Sequence, residues 1–154
     1  AGTGGQGDNA EVWFLNNESW SLLINLSDEF NTSSDTVLNL SVAYNKLFAS
    51  TGGPQSSSPI HIYDGSSWTT GTSITGCNSA MMSIVNDELW IGSCNGIVMK
   101  YDNHNWTMMG NTGELYNSHF KLFHNFIFVG TYGDGIIYST EIQMVKMFLP
   151  LLLR

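Results

Sequence analysis

The chain has 154 residues, 42% of them hydrophobic and 12% aromatic but only 12% charged, a balance that excludes disorder, collagen and a coiled coil and leaves room for one domain of ordinary size. Thirteen acidic residues against five basic ones give a formal charge of -8. No face can then carry the dense Lys/Arg footprint that phosphate backbones require, which argues against nucleic acid as a partner.

The first segment, Ala1 to Gly7, is Gly-rich and polar and lacks the basic and apolar parts of a signal peptide, so either a leader has been removed or the chain begins mid-protein. Glu11-Val12-Trp13-Phe14-Leu15 reads as a strand, and Asn16-Asn17-Glu18-Ser19-Trp20 as a turn closing on Trp. Thr36 to Val42 alternates with period two. Leu47-Phe48-Ala49-Ser50-Thr51 is an apolar run ending in a small residue and a hydroxyl. A second strand-turn-Trp phrase follows at Ile60 to Trp68, with the turn Asp64-Gly65-Ser66-Ser67. Ser79 to Val85 alternates again, Asn86-Asp87 marks a hairpin, and Leu89-Trp90-Ile91-Gly92-Ser93 repeats the apolar run. Ile97 to Trp106 writes the strand-turn-Trp phrase a third time, before Ser118 to Phe123 and Phe126 to Thr131. No segment carries a 3.6-residue period with caps. The expectation is an all-β chain of eleven or twelve short antiparallel strands without helix.

The landmarks share a ruler. Trp20, Trp68 and Trp106 are spaced by 48 and 38 residues, and Gly2, Ser50, Gly92 and Gly130 by 48, 42 and 38. A repeat of this size holding four short strands matches one β-propeller blade, whose faces are covered only by neighbouring blades. The expected architecture is a partial β-propeller over residues 1–141, with repeats at about 2–49, 50–91, 92–129 and 130–141. That gives about three four-stranded antiparallel blades plus partial strands at both ends. Gly92 and Gly130 suit the crowded end of an inner strand, and Trp68 and Trp106 are expected to fill the gap between adjacent sheets. The pattern fades after Tyr138, where Gln143 stands in the place expected for Trp. Residues 142–154 form an apolar C-terminal segment too short for a membrane span of about 20 residues, with Lys146 and Pro150 inside it. It is a buried strand, a peripheral tail or the start of a further segment, and membrane contact is disfavoured.

The phrases Ile62-Tyr63-Asp64-Gly65-Ser66-Ser67-Trp68 and Lys100-Tyr101-Asp102-Asn103-His104-Asn105-Trp106, each after an apolar run and a Gly-containing loop, resemble kelch-type β-propeller repeats over roughly Gly2 to Tyr138. The resemblance implies the fold and says nothing of an activity. Rings of this architecture have about four blades or more. Three complete units are therefore expected to belong to a longer polypeptide or to copies that close a ring together, with a non-propeller β-sandwich as the remaining alternative. The Asp64 phrase also resembles the sialidase Asp-box, with its Gly and Trp each one residue early, but the lone Arg154 leaves no arginine cluster to clamp a substrate carboxylate.

Candidate chemistry is sparse. Asp64, Asp102 and Asn16 recur with the repeat and read as turn formers that hold backbone N–H groups. His61, His104, His119 and His124 have no metal-ligand spacing, and no nucleophile elbow or P-loop is present, so neither a catalytic site nor a metal or other cofactor is expected. Trp13, Tyr116, Tyr132 and Tyr138 are the aromatics placed to stack on sugars. Cys77 and Cys94 flank the Asn86-Asp87 turn and are candidates for one disulfide, against the alternative of two small buried thiols. Asn-x-Ser/Thr triplets mark Asn17, Asn25, Asn31, Asn39 and Asn105 as N-glycosylation candidates, against roughly three expected by chance. The sequence thus reads as a secreted or cell-surface module without enzymatic role. Its expected partners are other protein chains or the remainder of a longer propeller, with a glycan-binding lectin as the alternative and the noncatalytic part of a propeller enzyme as the lesser one.

Overall fold

A computed structural model describes residues 1–4, 9–53, 57–113, 119–124, 126–131, 135–140 and 143–146, the last two stretches by their backbone. The strands are β1 (Glu11–Asn16), β2 (Ser19–Asn25), β3 (Thr36–Ala43), β4 (Lys46–Gly52), β5 (Ser57–Tyr63), β6 (Trp68–Thr75) and β7 (Ala80–Val85). There follow β8 (Glu88–Ser93), β9 (Ile97–Tyr101), β10 (Trp106–Asn111), β11 (Phe120–Phe123), β12 (Phe126–Thr131), β13 (Gly135–Thr140) and β14 (Gln143–Lys146). They form three four-stranded sheets, each with its strands in chain order, and a two-stranded sheet of β1 and β2. Neighbouring strands pair antiparallel within each of these sheets. The four-stranded sheets run from 36 to 75, 80 to 111 and 120 to 146, out of phase with the sequence repeats because each sheet begins with the strand before the apolar run.

Two expectations need correction. Fourteen strands are described rather than eleven or twelve, and a single helical turn, α1 (Leu26–Glu29), interrupts them. The turn forms because Asn25 caps it: its Oδ1 accepts the N–H groups of Ser27 at 3.1 Å and Asp28 at 3.2 Å. Four residues are too few to write a helical period into the sequence. The apolar run of β4, β8 and β12 is the second strand of each sheet, and the turns before β4 and β8 are two-residue hairpins. Tyr44 and Asn45, and Asn86 and Asp87, take positive φ at both central positions, as does the Asn17-Glu18 turn between β1 and β2.

The chain divides into two compact units, Ala1–Ala80 and Met81–Arg154. In the first, Ala10, Val12, Leu26, Val37 and Ala49 are buried together, with Leu23, Ile24, Phe30, Leu40, Leu47 and Trp68 packed at their margin. Residues 1–4 tie β1 to β3. Trp13 N–H donates to the Ala1 carbonyl at 2.8 Å, Thr3 N–H to Glu11 at 2.9 Å, and Val37 N–H to Thr3 at 2.9 Å. The passage is narrow enough to demand glycine: a Cβ on Gly2 would stand 2.5 Å from Val37 Cγ1, and Gly4, at φ +132, lies against the Asp35 backbone. Ser27, Ser34 and Thr51 link the loop after α1 to β4 through buried hydroxyls, with Ser34 Oγ and Thr51 Oγ1 3.0 Å apart. In the second unit, Val85, Trp90 and Val98 of one sheet bury themselves with Phe120 and Val129 of the next.

Candidate functional site

The repeat is legible in the register. Gly2, Ser50, Gly92 and Gly130 stand opposite Val12, Ile60, Val98 and Ile136 respectively. Three residues further along the third strand, Leu15 pairs with Trp20, Tyr63 with Trp68 and Tyr101 with Trp106. β1 and β2 therefore take the register of the third and fourth strands of the other sheets, and Ala1–Thr3, beside β1, that of the second. In the last sheet Ser139 pairs with Met144. Met144, not Gln143, is the register equivalent of the Trp landmark, and β14 continues the pattern past Tyr138, where the sequence signal stops.

Two turns are copied almost atom for atom. Asp64 Oδ1 accepts the N–H groups of Ser66 at 2.8 Å and Ser67 at 2.9 Å, and Asp102 Oδ1 those of His104 at 2.9 Å and Asn105 at 2.7 Å. The preceding tyrosine closes each turn: Tyr63 Oη donates to the Gly65 carbonyl at 2.9 Å and Tyr101 Oη to that of Asn103 at 3.0 Å. One residue in each, Gly65 at φ 101 and Asn103 at φ 78, takes the positive φ that the turn requires. Hydrogen bonds from the Ser67 N–H and the Ser66 hydroxyl and N–H bring the Asp64 carboxyl down to about 2, and those from Asn105 and His104 lower Asp102. Both carboxylates are thus committed to their own turns.

The tryptophans differ in burial although their register is shared. Trp68 and Trp106 are half-buried and lie against the rings of Tyr63 and Tyr101, at centroid distances of 5.2 and 4.6 Å. Trp68 also packs at the margin of the first unit's core, beside residues of both its sheets. The deeply buried indole is Trp90, 4% exposed, whose ring meets Phe120 at 6.0 Å. Sequence reading passed over Trp90 because it lies inside an apolar run, although a large aromatic in the second strand was the available signal. Trp20 is 56% exposed and its partner Leu15 57%, with Leu22 and Phe14 also exposed. By strand alternation Trp13, Leu15, Trp20 and Leu22 share one face of the two-stranded sheet, an apolar surface on which Leu15, Trp20 and Leu22 are exposed and Trp13 is half-buried.

The remaining candidates do not converge. His104, His119 and His124 are exposed, whereas His61 is wholly buried, stacked on Phe30 at 4.4 Å. Burial lowers His61 to about 4, and its Nε2 has no hydrogen-bonding partner among the described residues. Among those residues no cluster of three His, Cys, Asp or Glu could hold a metal. Of the sugar-stacking candidates, Trp13 is half-buried and its indole N–H donates to Glu11 at 2.9 Å. Tyr116 and Tyr132 and the side chain of Tyr138 lie outside the described residues. Asn17, Asn31 and Asn105 are exposed, while Asn25 caps α1 and Asn39 accepts from Ser41 at 3.1 Å. Cys77 and Cys94, the chain's two cysteines, are disulfide-bonded. No helix among the described residues is long and apolar enough to cross a membrane.

No known family model and no curated protein sequence matches the chain. Among solved structures, it is similar to part of PorZ, a bacterial surface component of the type-IX secretion system of Porphyromonas gingivalis, at 12% identity and a TM-score of 0.50, over 92% of this chain and 23% of PorZ. It is also similar to a mutant of the Aleuria aurantia lectin, at 10% identity and a TM-score of 0.49, over 96% of this chain and 57% of the lectin in its complex with Fucα1-6GlcNAc. The complex with α-methyl-L-fucoside matches at the same identity and score over 95% and 55%. The chain spans about a quarter of PorZ and just over half of the lectin, and at these identities the likeness to PorZ is one of fold alone.

Proposed function

We propose that the chain is an extracellular, non-enzymatic module of kelch-like β-propeller type, which binds other protein chains or builds an assembly, as part of a longer polypeptide or of an oligomer. The observation that carries this reading is the uncovered apolar face of β1 and β2. The same register positions are half-buried or buried where the sheet has four strands, at Tyr63, Trp68, Tyr101 and Trp106, and exposed where it has two, at Leu15 and Trp20. A sheet face of this kind gains stability when another polypeptide removes it from water, at about 25 cal/mol per Å2. The disulfide supports an oxidising compartment.

A second reading, glycan binding, draws on the Tyr–Trp pairs that recur beside acidic turns. It is the weaker one, because Asp64, Asp102 and the two tyrosine hydroxyls spend hydrogen bonds inside their turns and leave fewer polar groups to orient a sugar. Sedimentation velocity over a concentration series, beside a glycan array, separates the two. The protein-binding reading expects association that Trp20→Asp weakens and no saturable glycan signal. A monomer that binds one class of glycan saturably would replace it with the lectin.

A further inference from the structure

We propose that Asn17, Asn31 and Asn105 are attachment sites for N-linked oligosaccharide, and that Asn25 and Asn39, although they head the same kind of triplet, are not. Attachment takes place on the export route, so these sites rest on the extracellular reading above. The co-reactant is an oligosaccharide carried on a polyprenyl pyrophosphate. Its anomeric carbon bonds to the asparagine Nδ2 as its bond to the pyrophosphate oxygen breaks. The pyrophosphate leaves with the electron pair and the amide gives up one proton. The folded protein tolerates the product only where Nδ2 faces water with room for a bulky, solvated group.

The five triplets divide on that requirement. Asn17, Asn31 and Asn105 are exposed, and their side-chain amides make no hydrogen bond among the described residues. Ser19, Ser33 and Thr107, which close these triplets, are exposed as well. At Asn25 the amide is spent at both ends. Its Oδ1 accepts the Ser27 and Asp28 N–H groups that open α1, and its Nδ2 donates to Asp28 Oδ2 at 2.7 Å. The closing residue of that triplet, Ser27, is buried and accepts the Ala10 N–H at 2.9 Å. A sugar on Asn25 would compete with the cap that holds the turn. Asn39 is half-buried within β3 and accepts from Ser41, its own triplet's hydroxyl, at 3.1 Å.

Position in the repeat supports two of the exposed sites independently. Asn17 and Asn105 both stand in the turn between the third- and fourth-strand positions, just before Trp20 and Trp106. The corresponding turn from Asp64 to Ser67 is exposed too. The Asn105 turn belongs to a sheet of four strands, β7 to β10, so its exposure owes nothing to the ends of the chain. There Asn105 contributes its backbone to the turn, the N–H donating to Asp102 Oδ1 at 2.7 Å, and a sugar on its side chain leaves that bond intact.

The test secretes the 154-residue protein from a eukaryotic cell line behind a cleavable leader. Treating the folded product with peptide N-glycosidase in heavy-oxygen water converts each sugar-bearing asparagine to a labelled aspartate, read by peptide mass spectrometry. Asn17, Asn31 and Asn105 are expected to carry the label and Asn25 and Asn39 to lack it. Thr107→Ala, at an exposed position, should abolish the label at Asn105 alone. Label missing from any of the three, or as strong at Asn25 or Asn39, overturns the assignment. Because the leader imposes export, failure here leaves the extracellular reading untouched. That reading fails separately if an antibody finds the chain only inside the cells that naturally make it.

Discussion

The rings of Tyr63 and Trp68 lie 5.2 Å apart and 25° from parallel, and the turn between them is held by a carboxylate and closed by the same tyrosine's hydroxyl. Tyr101 and Trp106 repeat the arrangement at 4.6 Å and 32°. The unit is a closed hairpin end: ring stacking covers the strand pair, and the Asp carboxylate and Tyr hydroxyl both find partners within the turn.

Asp64→Ala should lower the melting temperature, and Asp64→Asn should restore most of it, because an amide oxygen still accepts the Ser66 and Ser67 N–H groups. The carboxylate's folded pKa, about 2, lies below its ordinary value near 4. Its contribution is therefore present at neutral pH and lost as pH falls from about 4 toward 2. Thermal unfolding of the three proteins at pH 7 and near pH 2 checks this, and the Asn variant should lack that part of the acid dependence.

His61 supplies a second pH dependence, in a higher window. Its folded pKa of about 4 lies below the ordinary value near 6.5, so the unfolded chain takes up a proton before the folded one does. Stability should fall as pH drops from about 6.5 to 4, by at most roughly 3 kcal/mol, and then cease to change on this account. His61→Phe keeps a ring against Phe30 and removes the proton, so its denaturation midpoint should vary less across that window.

Trp90 and Trp20 separate burial from landmark status. Trp90→Ala should cost roughly 3–5 kcal/mol, by loss of a core ring and the cavity it leaves, whereas Trp20→Ala should stay within about 0.5 kcal/mol in the dilute protein. Urea unfolding at matched protein concentration measures both.

Reduction of the Cys77–Cys94 bond should also destabilise the protein, by about 3 kcal/mol on the chain-entropy account for a loop of roughly 15 residues. A shift of the urea midpoint on adding reductant, absent in a variant with Ser at both positions, is the expected result.

Much of this was legible before any coordinates. The hairpins announce themselves because Asn17, Asn45, Asn86 and Asp87 occupy positive-φ positions that few other side chains tolerate. Gly2, Ser50, Gly92 and Gly130 mark one register because each faces a β-branched residue on the next strand. Burial was less legible. Trp20 and Trp68 sit in similar phrases, yet their exposure depends on how many strands their own sheet contains, which no local pattern records. α1 escaped because a single capped turn has no period, and β14 because Met144 replaced Trp at the equivalent position. The candidate surface followed only from setting an incomplete sheet beside complete ones.

The central claim is that the face of β1 and β2 bearing Leu15 and Trp20 is where another polypeptide docks. Fluorine NMR of the protein labelled with fluorotryptophan, followed from dilution to the concentration at which larger species sediment, tests it most directly. The account predicts that the Trp20 resonance shifts and broadens as those species form while that of Trp90 stays put. Larger species with an unperturbed Trp20, or no larger species at any concentration, would contradict it.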